Sequence, residues 1–124
     1  MGNPFCHVEL CTDKPGAAKE FYGQLFEWKM TDLSIPAMAE ESYTIIGVGE
    51  GTGGGIMQTP KGAPGGWMAY VLVDSVAKTI AKAKALGAKI CVEKREVPGW
   101  GALGIFIDPA GSTLAVWEPV KKKG

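Results

Sequence analysis

The order of predicted elements repeats along the chain, and this repeat is the strongest constraint on the fold. A predicted strand at residues 5–11 is followed by an amphipathic helix at residues 16–28 and by three further strand candidates. A second strand, at residues 67–73, is again followed by a helix and three strand candidates. The chain is therefore predicted to be an α+β protein built from two β-α-β-β-β units.

Both predicted helices carry local start signals. In the first unit the strand stops at Thr12-Asp13, and Pro15 suits a first helical turn because its missing N–H would have no partner there. In the second unit Asp74-Ser75 supplies an N-cap and Gly87 a C-cap. Apolar residues at helical spacing predict the core-facing side of each helix: Ala17, Phe21, Leu25 and Trp28 in the first, and Val76, Ile80, Ala83 and Leu86 in the second.

The remaining segments complete a single predicted domain spanning residues 1–124. Module one covers about residues 3–59, module two about residues 67–120, and a short tail follows at residues 121–124. The Pro/Gly-rich stretch at residues 60–66 is typical of a linker. The six further strand candidates are residues 27–33, 42–48, 55–58, 88–93, 103–107 and 113–118.

Composition argues against several classes of function. Thirteen basic and thirteen acidic side chains give a formal charge of zero, whereas nucleic-acid binders usually carry excess positive charge. The longest apolar run, residues 67–73, is too short to span a bilayer, and no signal peptide is visible. The three cysteines, Cys6, Cys11 and Cys91, do not form a disulfide framework. We therefore expect no nucleic-acid or membrane partner, a reducing compartment and a cytoplasmic location.

Alternation along the strands predicts which side chains share a sheet face. Val8 and Leu10 should pack under the first helix, which leaves His7, Glu9 and Cys11 on the opposite face. That opposite face should therefore combine an imidazole, a carboxylate and a phenol with much apolar surface. From the second module it should receive Met68, Tyr70, Leu72, Thr113, Ala115 and Trp117.

Two motifs suggest chemistry that their context does not favour. Residues 49–54 match the spacing G-x-G-x-x-G, but the segment that follows, residues 55–60, is short and ends in proline, so a hairpin is predicted rather than a phosphate site. Cys6 and Cys11 face opposite ways along one strand. His7 and Cys11 lie about 13 Å apart along it, too far to share a tetrahedral ion.

Glu9 has two interpretations that the sequence leaves open. A carboxylate on a mostly apolar sheet face could act as a general base or hold a polar group of a ligand. Because Glu9 lies near the end of its strand, it could instead be solvated or paired with a lysine.

Five motifs, in order, resemble the vicinal oxygen chelate superfamily, which includes glyoxalase I, bleomycin-resistance proteins and extradiol dioxygenases. They cover nearly the whole chain: His7-Val-Glu-Leu, Phe21-Tyr-x-x-Leu-Phe-x-Trp28, Tyr70-Val-x-Val-Asp74, Leu86-Gly87 and Asp108-Pro-x-Gly-Ser-x-Leu114. The resemblance implies a cupped eight-stranded mixed sheet with helices on the convex side. It also implies a ligand site on the concave face and, commonly, a homodimer.

The same resemblance implies where a metal would bind in the family's enzymes. His7 occupies the position of the first-strand histidine ligand, but Met68 and Ala115 stand where the family has a histidine and a carboxylate. The fourth ligand would lie around residues 55–57, which carry no suitable side chain. Gln58 is the nearest candidate there, and Glu118 is a weak candidate because it points to the opposite face. The resemblance is therefore to a branch without the full metal site, and no cofactor is expected.

We predict a small-molecule-binding protein without a catalytic metal. The first alternative is a lyase or isomerase of glyoxalase I type, in which Zn, Ni, Fe or Mn bound through His7, Gln58 or Glu118 polarises a carbonyl and Glu9 moves the proton. The second alternative is a non-catalytic dimeric interaction module. The predicted ligand-binding residues are His7, Glu9, Met57, Met68, Tyr70, Leu72 and Trp117.

Overall fold

The computed structural model of the chain describes residues 2–33, 43–59, 61 and 63–120. Ser42, Pro60 and the predicted tail at residues 121–124 lie outside the described residues. The elements are β1 (Phe5–Thr12), α1 (Pro15–Leu25), β2 (Lys29–Leu33), β3 (Tyr43–Gly47), β4 (Gly54–Gln58), β5 (Gly66–Leu72), α2 (Val76–Ala85), β6 (Lys89–Val97), β7 (Gly101–Ile107) and β8 (Thr113–Pro119).

The described strands form an eight-stranded mixed sheet, and with the two helices they give the predicted α+β fold. The chain divides into two compact units, residues 7–68 and residues 1–6 with 69–124. In the first unit the strand order is β2-β3-β4-β1, with β1 and β4 parallel. In the second it is β6-β7-β8-β5, with β5 and β8 parallel. The matching orders confirm the predicted repeat.

The core of the first unit lies between α1 and one face of its strands. Leu10, Ile46 and Ile56 are buried there, and α1 contributes Ala18 and Tyr22 to the same cluster. Leu10 therefore faces α1, as strand alternation predicts. His7, Glu9 and Cys11 consequently point to the other face of β1.

The orientation predicted for α1 is wrong by about one residue. The helix ends at Leu25, and Ala18 and Tyr22 face the core while Phe21 and Leu25 are exposed. A one-residue change turns a helix by about 100°, so a different side meets the sheet. Two contacts hold the observed side inward, the Lys19 ammonium 3.0 Å from both Asp32 carboxylate oxygens and a hydrogen bond from Trp67 Nε1 to Tyr22 Oη.

The second unit packs α2 closely over its strands. Val76 and Ile80 are buried, as predicted, against a cluster that includes Val73, Ala102 and Val116. The Ser75 side chain accepts a hydrogen bond from the Lys78 amide, which confirms the predicted N-cap. Leu86, predicted on the core side, is 70% exposed because it lies at the C-cap, beyond the last buried turn.

Residues 49–53 connect the antiparallel strands β3 and β4, which confirms the predicted hairpin. Gly49 and Gly51 have φ of +94° and +96°, a conformation that favours glycine in a tight turn. Within the described part of the chain, no helix is both long and apolar enough to cross a membrane.

Candidate functional site

A row of polar side chains lies along β1, on the face turned away from α1. His7, Glu9 and Cys11 occupy alternate positions of this strand. The His7 side chain keeps 26% of its surface exposed, whereas that of Glu9 keeps 3% and Cys11 is buried. The row therefore runs from a partly accessible imidazole to a carboxylate and a thiol shielded from water.

The structure adds Tyr43, which sequence reasoning missed, to this row. Tyr43 Oη lies 2.9 Å from His7 Nε2, within hydrogen-bonding distance. The strand register explains the approach, because Tyr43 pairs with Met57 on β4 and Met57 pairs with Cys11 on β1. Alternation with Ile46 would have placed Tyr43 on the correct face of β3, but the register between strands is needed to bring it to His7.

Gly55 leaves the space in which the Tyr43 ring lies. A Cβ atom at Gly55 would overlap the phenol oxygen of Tyr43 and would lie 2.6 Å from its Cζ. Real Cβ atoms essentially never approach so closely, so any larger residue at this position must displace the ring. Gly55 also pairs directly with Glu9 on β1, which places the glycine within the polar row.

Burial determines the protonation states in the row. It lowers the pKa of His7, so the imidazole is neutral at pH 7 and its 3.9 Å distance to Glu9 Oε1 is not an ion pair at that pH. Burial and then the Glu9 charge raise the pKa of Cys11 to about 12. Burial and the same charge also hold the pKa of Tyr43 well above its usual value. The thiol and the phenol therefore keep their protons at neutral pH.

These protonation states define the chemistry available to the row. A neutral imidazole and a phenol can each donate and accept hydrogen bonds, so together they can hold a carbonyl or hydroxyl group. Cys11 is a poor nucleophile because thiolate, rather than thiol, is the reactive form and this thiol is buried and protonated.

The second unit places its predicted lining residues on one face of its own strands. Tyr70 pairs with Ala115, and Leu72 pairs with Trp117. Val71 and Val116, which alternate with them, pack toward α2. Tyr70, Leu72 and Trp117 therefore share the face turned away from α2, as predicted. The buried residues among the predicted lining set are Glu9, Met57, Met68 and Tyr70.

Comparison with known families places the chain. The model of the Glyoxalase/Bleomycin resistance protein/Dioxygenase superfamily matches residues 5–116. The chain belongs to this superfamily. The match covers both β-α-β-β-β units, and it confirms the resemblance carried by the five sequence motifs.

Two relatives in the superfamily match most of this chain. A Mycobacterium tuberculosis protein named "Putative glyoxylase CFP32" is 33% identical over 116 residues, which are 93% of this chain and 44% of that protein. "Anthracycline biosynthesis protein DnrV" of Streptomyces peucetius is 26% identical over 127 residues, covering 89% of this chain and 45% of that protein. The chain spans less than half the length of these relatives.

Solved structures with low sequence identity share the superfamily fold. A hypothetical protein from Bacillus halodurans C-125 aligns with a TM-score of 0.68 at 14% identity, covering 100% of this chain and 99% of that one. Methylmalonyl-CoA epimerase from Mycobacterium tuberculosis aligns with a TM-score of 0.65 at 15% identity, covering 94% and 88%. At these identities the likeness concerns the fold alone.

The described residues do not fit the divalent metal site of the superfamily's enzymes. His7 offers one nitrogen donor, while Met68 and Ala115, at two other ligand positions, are buried and apolar. Among residues 2–33, 43–59, 61 and 63–120, no three His, Cys, Asp or Glu side chains lie together so that they could hold an ion. Metal sites need several nitrogen, oxygen or thiolate donors.

The two weak metal candidates make other contacts in the structure. Gln58 Nε2 donates to Asp13 Oδ1, and Gln58 alternates with Met57, so it lies on the α1 face of β4. Glu118 Oε1 accepts a hydrogen bond from the Val76 amide, 2.9 Å away, at the first residue of α2. Glu118 therefore satisfies a helix N-terminus, and Gln58 faces away from His7.

Proposed function

We propose that this chain binds a small organic molecule through His7 and Tyr43, on the face of β1 and β3 turned away from α1. The observation that carries the proposal is the 2.9 Å contact between His7 Nε2 and Tyr43 Oη beside the buried Glu9 carboxylate. Buried polar clusters with shifted pKa values are more common at functional sites than elsewhere. The 26% exposure of the His7 side chain leaves an edge that a ligand can reach.

The ligand that suits this pair is largely apolar and carries a neutral oxygen function. The neutral imidazole and the protonated phenol supply hydrogen bonds without a net positive charge, so a carbonyl or hydroxyl is favoured over a carboxylate or phosphate. Met57, buried in the same sheet face, supplies apolar contact. The names of similar proteins suggest three probes: an anthracycline, a coenzyme A thioester and a glutathione thioether.

Isothermal titration with these three probes tests the proposal. At least one probe should bind, and Tyr43→Phe and His7→Gln should each weaken it about tenfold, the effect of one lost hydrogen bond of about 1.4 kcal/mol. Tyr22→Phe is the matched control, because it removes a hydroxyl from the α1 side of the same unit. Its affinity should equal that of the unmodified chain.

Two outcomes would contradict this function. If no probe binds, or if His7→Gln binds as tightly as the unmodified chain, the polar row is not the ligand site. If protein purified without chelator carries a stoichiometric divalent ion that His7→Ala loses, a metal-dependent lyase or isomerase is favoured instead. Elemental analysis of both proteins makes that distinction.

A further inference from the structure

The exposed flank of α1 carries large apolar side chains where a solvated helix would carry polar ones. Phe21 is 59% exposed and Leu25 56%, and beside them Phe26 is 46% and Trp67 43% exposed. We call these four residues the aromatic patch. None of the eleven residues of α1, all of which are described, is buried.

The patch is continuous because its rings contact one another through Tyr22 and Trp28. Tyr22 lies 5.0 Å from Phe21 and 5.3 Å from Trp67, centroid to centroid. Trp28 lies 4.7 Å from Phe26 and 6.3 Å from Trp67. Tyr22 and Trp28 also belong to the core cluster, so the patch rests on packed side chains rather than on a loose loop.

The second helix of the same chain provides an internal comparison. The exposed residues of α2 are alanines and lysines: Ala77, Lys78, Ala81, Lys82, Lys84 and Ala85. That helix has the composition of a surface in contact with water. The corresponding helix of the repeated unit, α1, instead exposes Phe21 and Leu25. The apolar flank is therefore a property of the first unit and not of the repeat.

The size of the patch suits one half of a symmetric interface. Side chains of this size bury about 150–250 Å² each when fully covered, so the four exposures together amount to about 400 Å². Isolated monomers seldom expose much more than a few hundred Å² in one patch. Two such patches face to face, with their polar rim, approach the roughly 1,200–2,000 Å² of a stable complex.

The charges around the patch are of both signs. Glu20 and Glu27 follow the patch along α1 and after it, and Lys29 adjoins Trp28 at the start of β2; all three are exposed. In a two-fold interface the same surface meets itself, so a rim with both acidic and basic groups can pair with its own copy. A rim of one sign would repel itself.

From these observations we propose that the aromatic patch is the contact surface for a second copy of this chain. The proposal does not depend on the ligand site, because Phe21, Leu25, Phe26 and Trp67 lie on or beside the α1 side of the first unit, whereas His7 and Tyr43 lie on the opposite face. Burying these rings would remove from water the largest group of exposed aromatic side chains in residues 7–68.

Sedimentation velocity over about 1–100 μM protein tests the proposal. The unmodified chain should sediment as a dimer. Phe21→Ser with Leu25→Ser should weaken association at least about tenfold, because removing central apolar contacts has the largest effect on an interface. Leu86→Ser is the matched control, since Leu86 is 70% exposed but lies outside the patch, and it should leave the dimer unchanged.

Phe21→Glu alone is the second variant, and circular dichroism melts confirm that each variant is folded. It places a charge at an exposed position and should also give a monomer. A monomeric unmodified chain at every concentration would overturn the proposal. So would a dimer that survives in both patch variants, or one that only Leu86→Ser disrupts.

Discussion

His7 is the single histidine of the chain, so its titration can be followed without ambiguity. Its imidazole lies partly buried between Tyr43 Oη and Glu9 Oε1. Desolvation disfavours the charged imidazolium, and burial is the cause of the lowered pKa. At neutral pH the side chain therefore acts as an uncharged hydrogen-bonding group.

We expect the pKa of His7 to lie below 6.5 in the folded chain and to return to about 6.5 on unfolding. The Cε1 proton resonance, followed by NMR across about pH 4–9, reports it directly. A folded-state pKa at or above 6.5 would contradict the burial described for this side chain.

The lowered pKa has a definite consequence for stability. Below pH 6.5 the unfolded chain binds a proton that the folded chain resists, so the free energy of unfolding contains a His7 contribution that is present above pH 6.5. That contribution falls as the pH drops from 6.5 toward the folded-state pKa. His7→Gln should remove this part of the pH dependence in urea unfolding, and identical pH profiles for both proteins would contradict it.

Gly55 is expected to be the residue that most directly controls Tyr43. Gly55→Ala should destabilise the chain by about 1–3 kcal/mol and shift the His7 resonance, because the added methyl overlaps the phenol. In a Tyr43→Ala background the cost should largely disappear, which a double-mutant cycle measures. Gly23→Ala is the control: nothing lies within 4 Å of its added Cβ in α1, so stability should rise by up to about 1 kcal/mol.

The two helices show how far element-scale reasoning reaches. Periodicity correctly predicted both helices, and for α2 it also identified the buried Val76 and Ile80. For α1 it identified an apolar stripe but assigned it to the core, because pattern alone cannot tell which of two apolar sides meets the sheet. The choice depends on contacts distant in sequence, such as Lys19 with Asp32 and Tyr22 with Trp67.

At the N-terminus of α2, we expect the carboxylate of Glu118 to stabilise the helix from another element. Glu118→Ala should lower the free energy of unfolding by about 1 kcal/mol, since the Val76 amide loses its acceptor. Glu118→Gln keeps an acceptor oxygen and should cost less. Urea unfolding of both variants, with Ser75→Ala for comparison, checks this. Equal stability of Glu118→Ala and the unmodified chain would contradict it.

For the whole molecule, the repeat, the eight strands and the superfamily follow from the sequence. Strand alternation also placed His7 and Glu9 on the correct face of β1. Tyr43 was missed because its approach to His7 requires the register of β3 against β4 and of β4 against β1. The cytoplasmic location and the ligand stay predictions, because a single chain shows neither.

The strand order within each unit also governs the order in which the chain can fold. The antiparallel neighbours β2 and β3, and β6 and β7, are close in sequence, whereas β1 pairs in parallel with β4 and β5 with β8. Such pairings carry a large loop-closure entropy and form slowly. During synthesis, β1 must therefore wait for Gly54–Gln58, and β5 for Thr113–Pro119, before these parallel pairs can form.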